Sequence, residues 1–169
     1  MAVKESIKCR FSIHFVLMAG ASGDDGPSEV RDAFHPPTIK TLCEQCELSV
    51  EEVLLFCQCC WRQLSPYDKF LFEICELTLN WRHGGPYAMC QSCVKLKNQV
   101  DFICFSEGTF TATEVERQSN ISIYHHQIKC LKCTRPLTFT EVQACVHNFE
   151  AFQKVKGELR AICSMCRVF

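Results

Sequence analysis

Fifteen of the 169 residues are cysteine, and their spacing shows what chemistry they can do. Cys-x-x-Cys pairs stand at Cys43/Cys46, Cys57/Cys60, Cys90/Cys93, Cys130/Cys133 and Cys163/Cys166. Such a turn presents two thiolates on one side of a tight bend. Two turns together complete a tetrahedron around a metal ion, at about 2.3 Å per bond for zinc. An internal repeat decides which turns combine. A shift of 73 carries Cys57 to Cys130, Cys60 to Cys133, Cys90 to Cys163 and Cys93 to Cys166, so each half reads C-x2-C-x29-C-x2-C. The same shift carries Cys59 to Lys132, and Cys43 and Cys46 to Glu116 and Ser119. The repeat therefore selects Cys57, Cys60, Cys90 and Cys93 for one site and Cys130, Cys133, Cys163 and Cys166 for the other. Cys59 is left as a bystander in the crowded "CQCC" stretch.

Four thiolates with no open position make a structural zinc site, whereas catalytic zinc keeps a place for water. No histidine recurs under the shift; His83, for example, falls on Lys156. Disulfides fit an odd cysteine count poorly, and a redox dithiol needs one such turn rather than two repeated sets. Two structural zinc ions per chain follow. Each is worth on the order of 10 kcal/mol of folding free energy to a unit this small. Cys75, Cys104 and Cys145 fall at apolar helical positions and read as core.

The elements that hold these pairs repeat as well. Arg62, Leu64, Ser65 and Asp68 map onto Arg135, Leu137, Thr138 and Glu141. Ser65-x-x-Asp68 and Thr138-x-x-Glu141 read as helix N-caps with an acidic residue at the third helical position. Behind them, Tyr67, Phe70, Leu71, Ile74 and Cys75 mark one apolar helical face, and Val142, Cys145, Val146 and Phe149 another. Turns at Gly84-Gly85-Pro86 and Lys156-Gly157 lie between short strand-like runs. Ser49 and Ser122 each open a helix that leads into a first cysteine pair. The fold class is a small zinc-stabilised α+β chain: two tandem zinc-binding domains, each with four cysteine ligands, joined by a connecting helix. Residues 1–39 form an N-terminal extension, 40–93 the first domain, 94–120 the connecting helix and linker, and 121–169 the second domain.

A formal net charge of −1 hides a dipole. Residues 43–93 carry three Lys/Arg against seven Asp/Glu, and residues 129–169 carry seven against three. Such a chain is not a general polyanion binder, although its basic end suits an acidic partner. That end, with Phe139, Phe149 and Phe152, supplies the alternative reading of a nucleic-acid-binding or transcription-modulating zinc protein with weak DNA affinity. There is no run of 18 apolar residues, so no membrane span is expected. "KCRFSIHFVLMAGASG" has the outline of a secretory signal, but His14 interrupts the apolar stretch and the later cysteines are arranged for metal. Met18 offers a second start. No H-E-x-x-H motif and no nucleophile–base pair argues for an enzyme.

In this doubled spacing the chain from about residue 40 to 167 resembles the papillomavirus early-six (E6) oncoprotein family. "NWRHGGPYAMCQSC" is similar to that family's hairpin into its second cysteine pair, and "TLCEQCELSVEEVLLFC" to its N-terminal helix. The resemblance implies a non-enzymatic adaptor that captures acidic L-x-x-L-L helices of host proteins. These are either a HECT-type ubiquitin ligase, to redirect it, or a Mastermind-like Notch coactivator, to repress transcription. It further implies residence in host nucleus and cytoplasm, and a peptide-binding set of Leu77, Met89, Val94, Lys97 and Lys129. Leu96, Val100, Ile103 and Cys104 read as another apolar stripe on the connecting helix. Exposed cysteines and aromatics such as Trp61 and Trp81 suit weak self-association. Two departures stand out. Gly157-Glu158-Leu159 occupies the hairpin where many members carry Gly-Arg-Trp. The chain also ends Arg167-Val168-Phe169 rather than in a PDZ-binding tail, so PDZ partners are not expected.

Overall fold

A computed structural model describes residues 35–82 and 84–168. The secretory outline at the N-terminus, the extension before His35, and His83 lie outside the described residues. The described chain divides into two compact units. The first runs through Glu73 and resumes at Leu77–Met89; the second holds Ile74–Glu76 and everything from Cys90 onward.

The first unit opens with helix α1 (Ile39–Cys46), where Thr38 and Thr41 form a reciprocal cap and Glu47 ends the helix in the left-handed region at φ 53°. Strand β1 (Phe56–Cys57), helix α2 (Pro66–Ile74) and the hairpin strands β2 (Asn80–Arg82) and β3 (Gly85–Ala88) follow. The sheet order is β1-β3-β2, with β1 parallel to β3 and β2 antiparallel to it. Ile39, Leu42, Val53, Leu55, Leu64, Leu71 and Phe72 are buried.

The second unit contains the long helix α3 (Gln91–Phe105), strand β4 (Ser106–Phe110) and helix α4 (Ala112–Ser119). A single 3-10 turn, Ile123–His125, leads to β5 (Lys129–Cys130). Helix α5 (Phe139–His147), hairpin strands β6 (Phe152–Val155) and β7 (Glu158–Ala161), and the short helix α6 (Ser164–Val168) complete it. Its sheet runs β4-β6-β7-β5. Val115, Ile123, Ile128, Val142, Cys145, Phe152 and Ala161 form the core, with Phe110, Leu137 and Leu159 packed against them.

The 73-residue offset is reproduced bond by bond in the backbone. Cys57 N–H donates to Arg62 O and Cys130 N–H to Arg135 O; Gln58 donates to Ala88 and Leu131 to Ala161; Leu64 donates to Leu55 and Leu137 to Ile128. The left-handed residues correspond too: Glu47 with Asn120, Trp61 with Thr134, Glu76 with Phe149, and Gly84 with Gly157. The repeat reaches further upstream than the cysteines. Helices α1 and α4 are equivalent, capped by Thr38 and Thr111 respectively. Residues 106–119 are thus a strand and a helix of the second unit, where the sequence suggested a linker.

Several local expectations turn out differently. The buried face of α2 consists of Asp68, Lys69, Leu71 and Phe72, while Tyr67 and Phe70 are exposed. Capping and bonds to backbone carbonyls explain the rotation. The Asp68 carboxylate accepts from Ser65 N–H and Oγ, and Lys69 Nζ donates to Val50 O and Val53 O, both at 2.6 Å. Two charged side chains are thereby satisfied inside. Phe149 is 94% exposed, because it occupies the left-handed position just beyond α5 and turns away from that helix. Ser49 opens a turn and Ser122 a 3-10 turn, neither an α-helix. Cys104 is exposed, while Cys75 and Cys145 are buried.

Candidate metal centres

Each centre is built from one turn after a strand and one turn at the end of a hairpin. In the second unit Cys130 closes β5, and Cys133 sits before a left-handed Thr134 at φ 64°. Cys163 follows β7, and Cys166 lies in α6. The Sγ atoms of Cys130, Cys133, Cys163 and Cys166 all lie within 4.8 Å of one another, and so do those of Cys57, Cys60, Cys90 and Cys93. The eight cysteines paired by the spacing are the eight brought together, and Cys59, Cys43 and Cys46 belong to neither group.

The donor sets fit zinc. A tetrahedral centre of four sulfurs with bonds of about 2.3 Å separates those sulfurs by about 3.8 Å. The Cys133 and Cys163 Sγ atoms stand 3.8 Å apart. Backbone N–H groups point at the sulfurs, with Cys163 N–H donating to Cys130 Sγ at 3.5 Å. Two centres of four thiolates each are compatible with two structural zinc ions and leave no position for a reacting water.

The centres differ in exposure. All four cysteines of the second are buried, whereas in the first Cys60 is exposed and Cys93 half-buried. Contact with Cys133 and then burial push the Cys130 thiol up to about 12. Burial, with the charge of Cys130 behind it, pushes Cys166 to about 12 as well. Metal-free Cys130 and Cys166 therefore hold their protons at neutral pH, and zinc must expel them.

A clamp around the second centre was only half legible in sequence. Arg135 Nη2 donates to Glu141 Oε1 at 2.5 Å. Glu141 further accepts from Ser164 N–H at 2.9 Å, Ser164 Oγ at 2.6 Å and Thr138 N–H at 2.9 Å. Burial disfavours its charge, but the bonds from Ser164, Thr138 and Arg135 outweigh burial and hold the carboxyl at about 2. One carboxylate thus ties the α5 cap to both turns of the metal centre. The recurrence of Arg62 as Arg135 and Asp68 as Glu141 was the available signal. Arg62 lies 3.5 Å from Asp68 in the first half, and the role of Ser164 had no signal.

The chain matches a family model described as Early Protein (E6) over residues 57–166. The chain belongs to the E6 family. Among curated E6 relatives, Protein E6 of human papillomavirus type 94 is 30% identical over 134 residues, spanning 79% of this chain and 90% of its own. Protein E6 of human papillomavirus type 1 is 28% identical over 132 residues, spanning 78% and 94%. The solution structure of the C-terminal zinc-binding domain of HPV51 oncoprotein E6 is similar at 28% identity, covering 37% of this chain and 86% of that one, with a TM-score of 0.33. As an E6 protein the chain is a viral protein that acts on its host.

The remaining candidate residues have the following places. Leu77 and Met89 are half-buried, Val94 is buried, Lys97 is exposed and Lys129 is half-buried. Lys97 pairs with Asp101 at 2.7 Å and Lys129 with Glu158 at 3.2 Å. Glu158 also pairs with Arg160. No helix among the described residues is long and apolar enough to cross a membrane.

Proposed function

We propose that this E6 protein is a non-catalytic adaptor that captures an acidic L-x-x-L-L helix of a host protein, either a HECT-type ubiquitin ligase or a Mastermind-like coactivator. The observation that carries the reading is the outer face of α3. Leu96, Val100 and Ile103 recur at helical spacing and are 60%, 48% and 73% exposed, an apolar stripe of the kind that receives an amphipathic partner helix. Lys97 lies beside it, and Lys129, Leu77, Met89 and Val94 extend the candidate set by family resemblance. Asp101 and Glu158 pre-position the two lysines, and an acidic peptide competes for them. The proposed place of action is the host nucleus and cytoplasm, where thiols stay reduced.

Nucleic-acid binding is the weaker reading because the basic end is internally paired. Arg135, Lys129, Lys154, Lys156, Arg160 and Arg167 all sit in ion pairs. The test is a pull-down of the zinc-loaded chain with one L-x-x-L-L peptide from each partner class. Capture of either, reduced at least tenfold by Val100→Asp, supports the adaptor and names its branch. Capture of neither refutes it, and ubiquitin transfer by the purified chain alone would refute its non-catalytic part.

A further inference from the structure

Within the second unit, a hollow opens between α3 and the turn that joins Cys130 to Cys133. Lys95, Asn98, Gln99 and Phe102 line it from one face of α3, and Leu131 and Lys132 line it from the turn. They enclose a half-open space of about 310 Å³, at the lower end of the range for small-molecule sites. Its walls are fixed before anything enters. Asn98 is 5% exposed, and its Nδ2 donates to Lys132 O at 2.9 Å, which ties the turn to α3. Asparagine suits a helix interior poorly unless its amide is bonded elsewhere. Leu131 N–H donates to Ala161 O at 2.8 Å, and Lys132 Nζ to Cys166 O at 3.1 Å. The repeat does not demand Leu131 and Lys132, because Gln58 and Cys59 stand at the equivalent places in the first half.

Charge selects the occupant. Seven of the ten Lys/Arg from Cys90 onward pair with carboxylates; the other three, Lys95, Arg117 and Lys132, make no ion pair among the described residues. Two of those three line the hollow, and no carboxylate does. Phe102 and Leu131, both half-buried, supply the apolar contact. From this juxtaposition we infer that the hollow binds a small organic anion with an apolar body, an aryl or medium-chain carboxylate. Its body lies against Phe102 and Leu131, and its carboxylate meets the ammonium groups of Lys95 and Lys132. A helical peptide lays a row of apolar anchors along a groove, whereas a space this small takes one apolar group. The lining face also lies roughly a third of a turn around α3 from Leu96, Val100 and Ile103, so this site is separate from the apolar stripe.

The test titrates naphthoate into the zinc-loaded, isotope-labelled full chain and follows backbone and side-chain amide resonances. Saturable shifts are expected at Asn98, Gln99, Leu131 and Lys132. Naphthylmethanol, which keeps the body without the charge, is expected to bind at least fivefold more weakly. Lys95→Gln/Lys132→Gln should weaken naphthoate by at least fivefold as well; both lysines are exposed and neither belongs to a metal centre. If that variant does not fold, Lys95→Gln alone decides, with an expected loss of at least twofold. No saturable shift up to about 10 mM, shifts confined to Leu96, Val100 and Ile103, or equal binding of the neutral alcohol would overturn the inference. So would capture in the hollow of a capped Asp-Asp-Phe-Asp-Asp peptide but not of naphthoate, which would give the site to an acidic peptide instead.

Discussion

Glu141→Gln isolates the electrostatic part of the clamp that holds the second metal centre. The substitution keeps the side chain's size and one carbonyl acceptor but removes the charge that Arg135, Ser164 and Thr138 all address. The carboxyl titrates at about 2 in the folded chain against 4.5 in its unperturbed state. At about 1.36 kcal/mol per pKa unit, that difference amounts to about 3 kcal/mol of stability at neutral pH. The side chain is only 12% exposed, so solvent screening removes little of it. Because the folded pKa lies below the unfolded one, the contribution is complete above about pH 5 and is lost as pH falls toward 2. Zinc leaves thiolates within the same acidic range, so the measurement belongs at pH 7. Urea unfolding at fixed free zinc, followed by near-ultraviolet circular dichroism, should show Glu141→Gln less stable by about 3 kcal/mol. Arg135→Gln should be destabilised comparably, and the double variant by much less than the sum of the two. A loss under about 1 kcal/mol for Glu141→Gln would refute the account.

Zinc should leave the two centres in order. A chelator is expected to take the metal of Cys57, Cys60, Cys90 and Cys93 first, because Cys60 is exposed, and alkylation mapped by peptide mass would read the sequence of loss. The second centre's apparent zinc affinity should rise with pH around neutrality, because buried thiols raised to about 12 must each release a proton; a flat competition titration would contradict this. Phe152→Ala removes a fully buried ring from the second core and should cost about 3–5 kcal/mol in urea unfolding. Phe149→Ser, at a residue 94% exposed, should change stability by less than about 0.5 kcal/mol.

The sequence by itself determined the metal chemistry and the duplication. Thiolate spacing is a local covalent property, and a tight turn presents its two sulfurs to one metal whatever surrounds it, so Cys57 through Cys166 could be sorted into two sets by an offset of 73. The caps at Ser65 and Thr138 were legible for the same reason, since each bond spans three residues. The tertiary structure decided which way the helices face. Apolar periodicity placed Tyr67 and Phe70 inward, but the carbonyls of Val50 and Val53 draw Lys69 in and turn α2 so that Phe72 is buried. It also decided that residues 106–119 belong to the second unit. Strand β4 becomes a strand only by pairing with β6 some forty residues later, a non-local interaction that local composition does not encode.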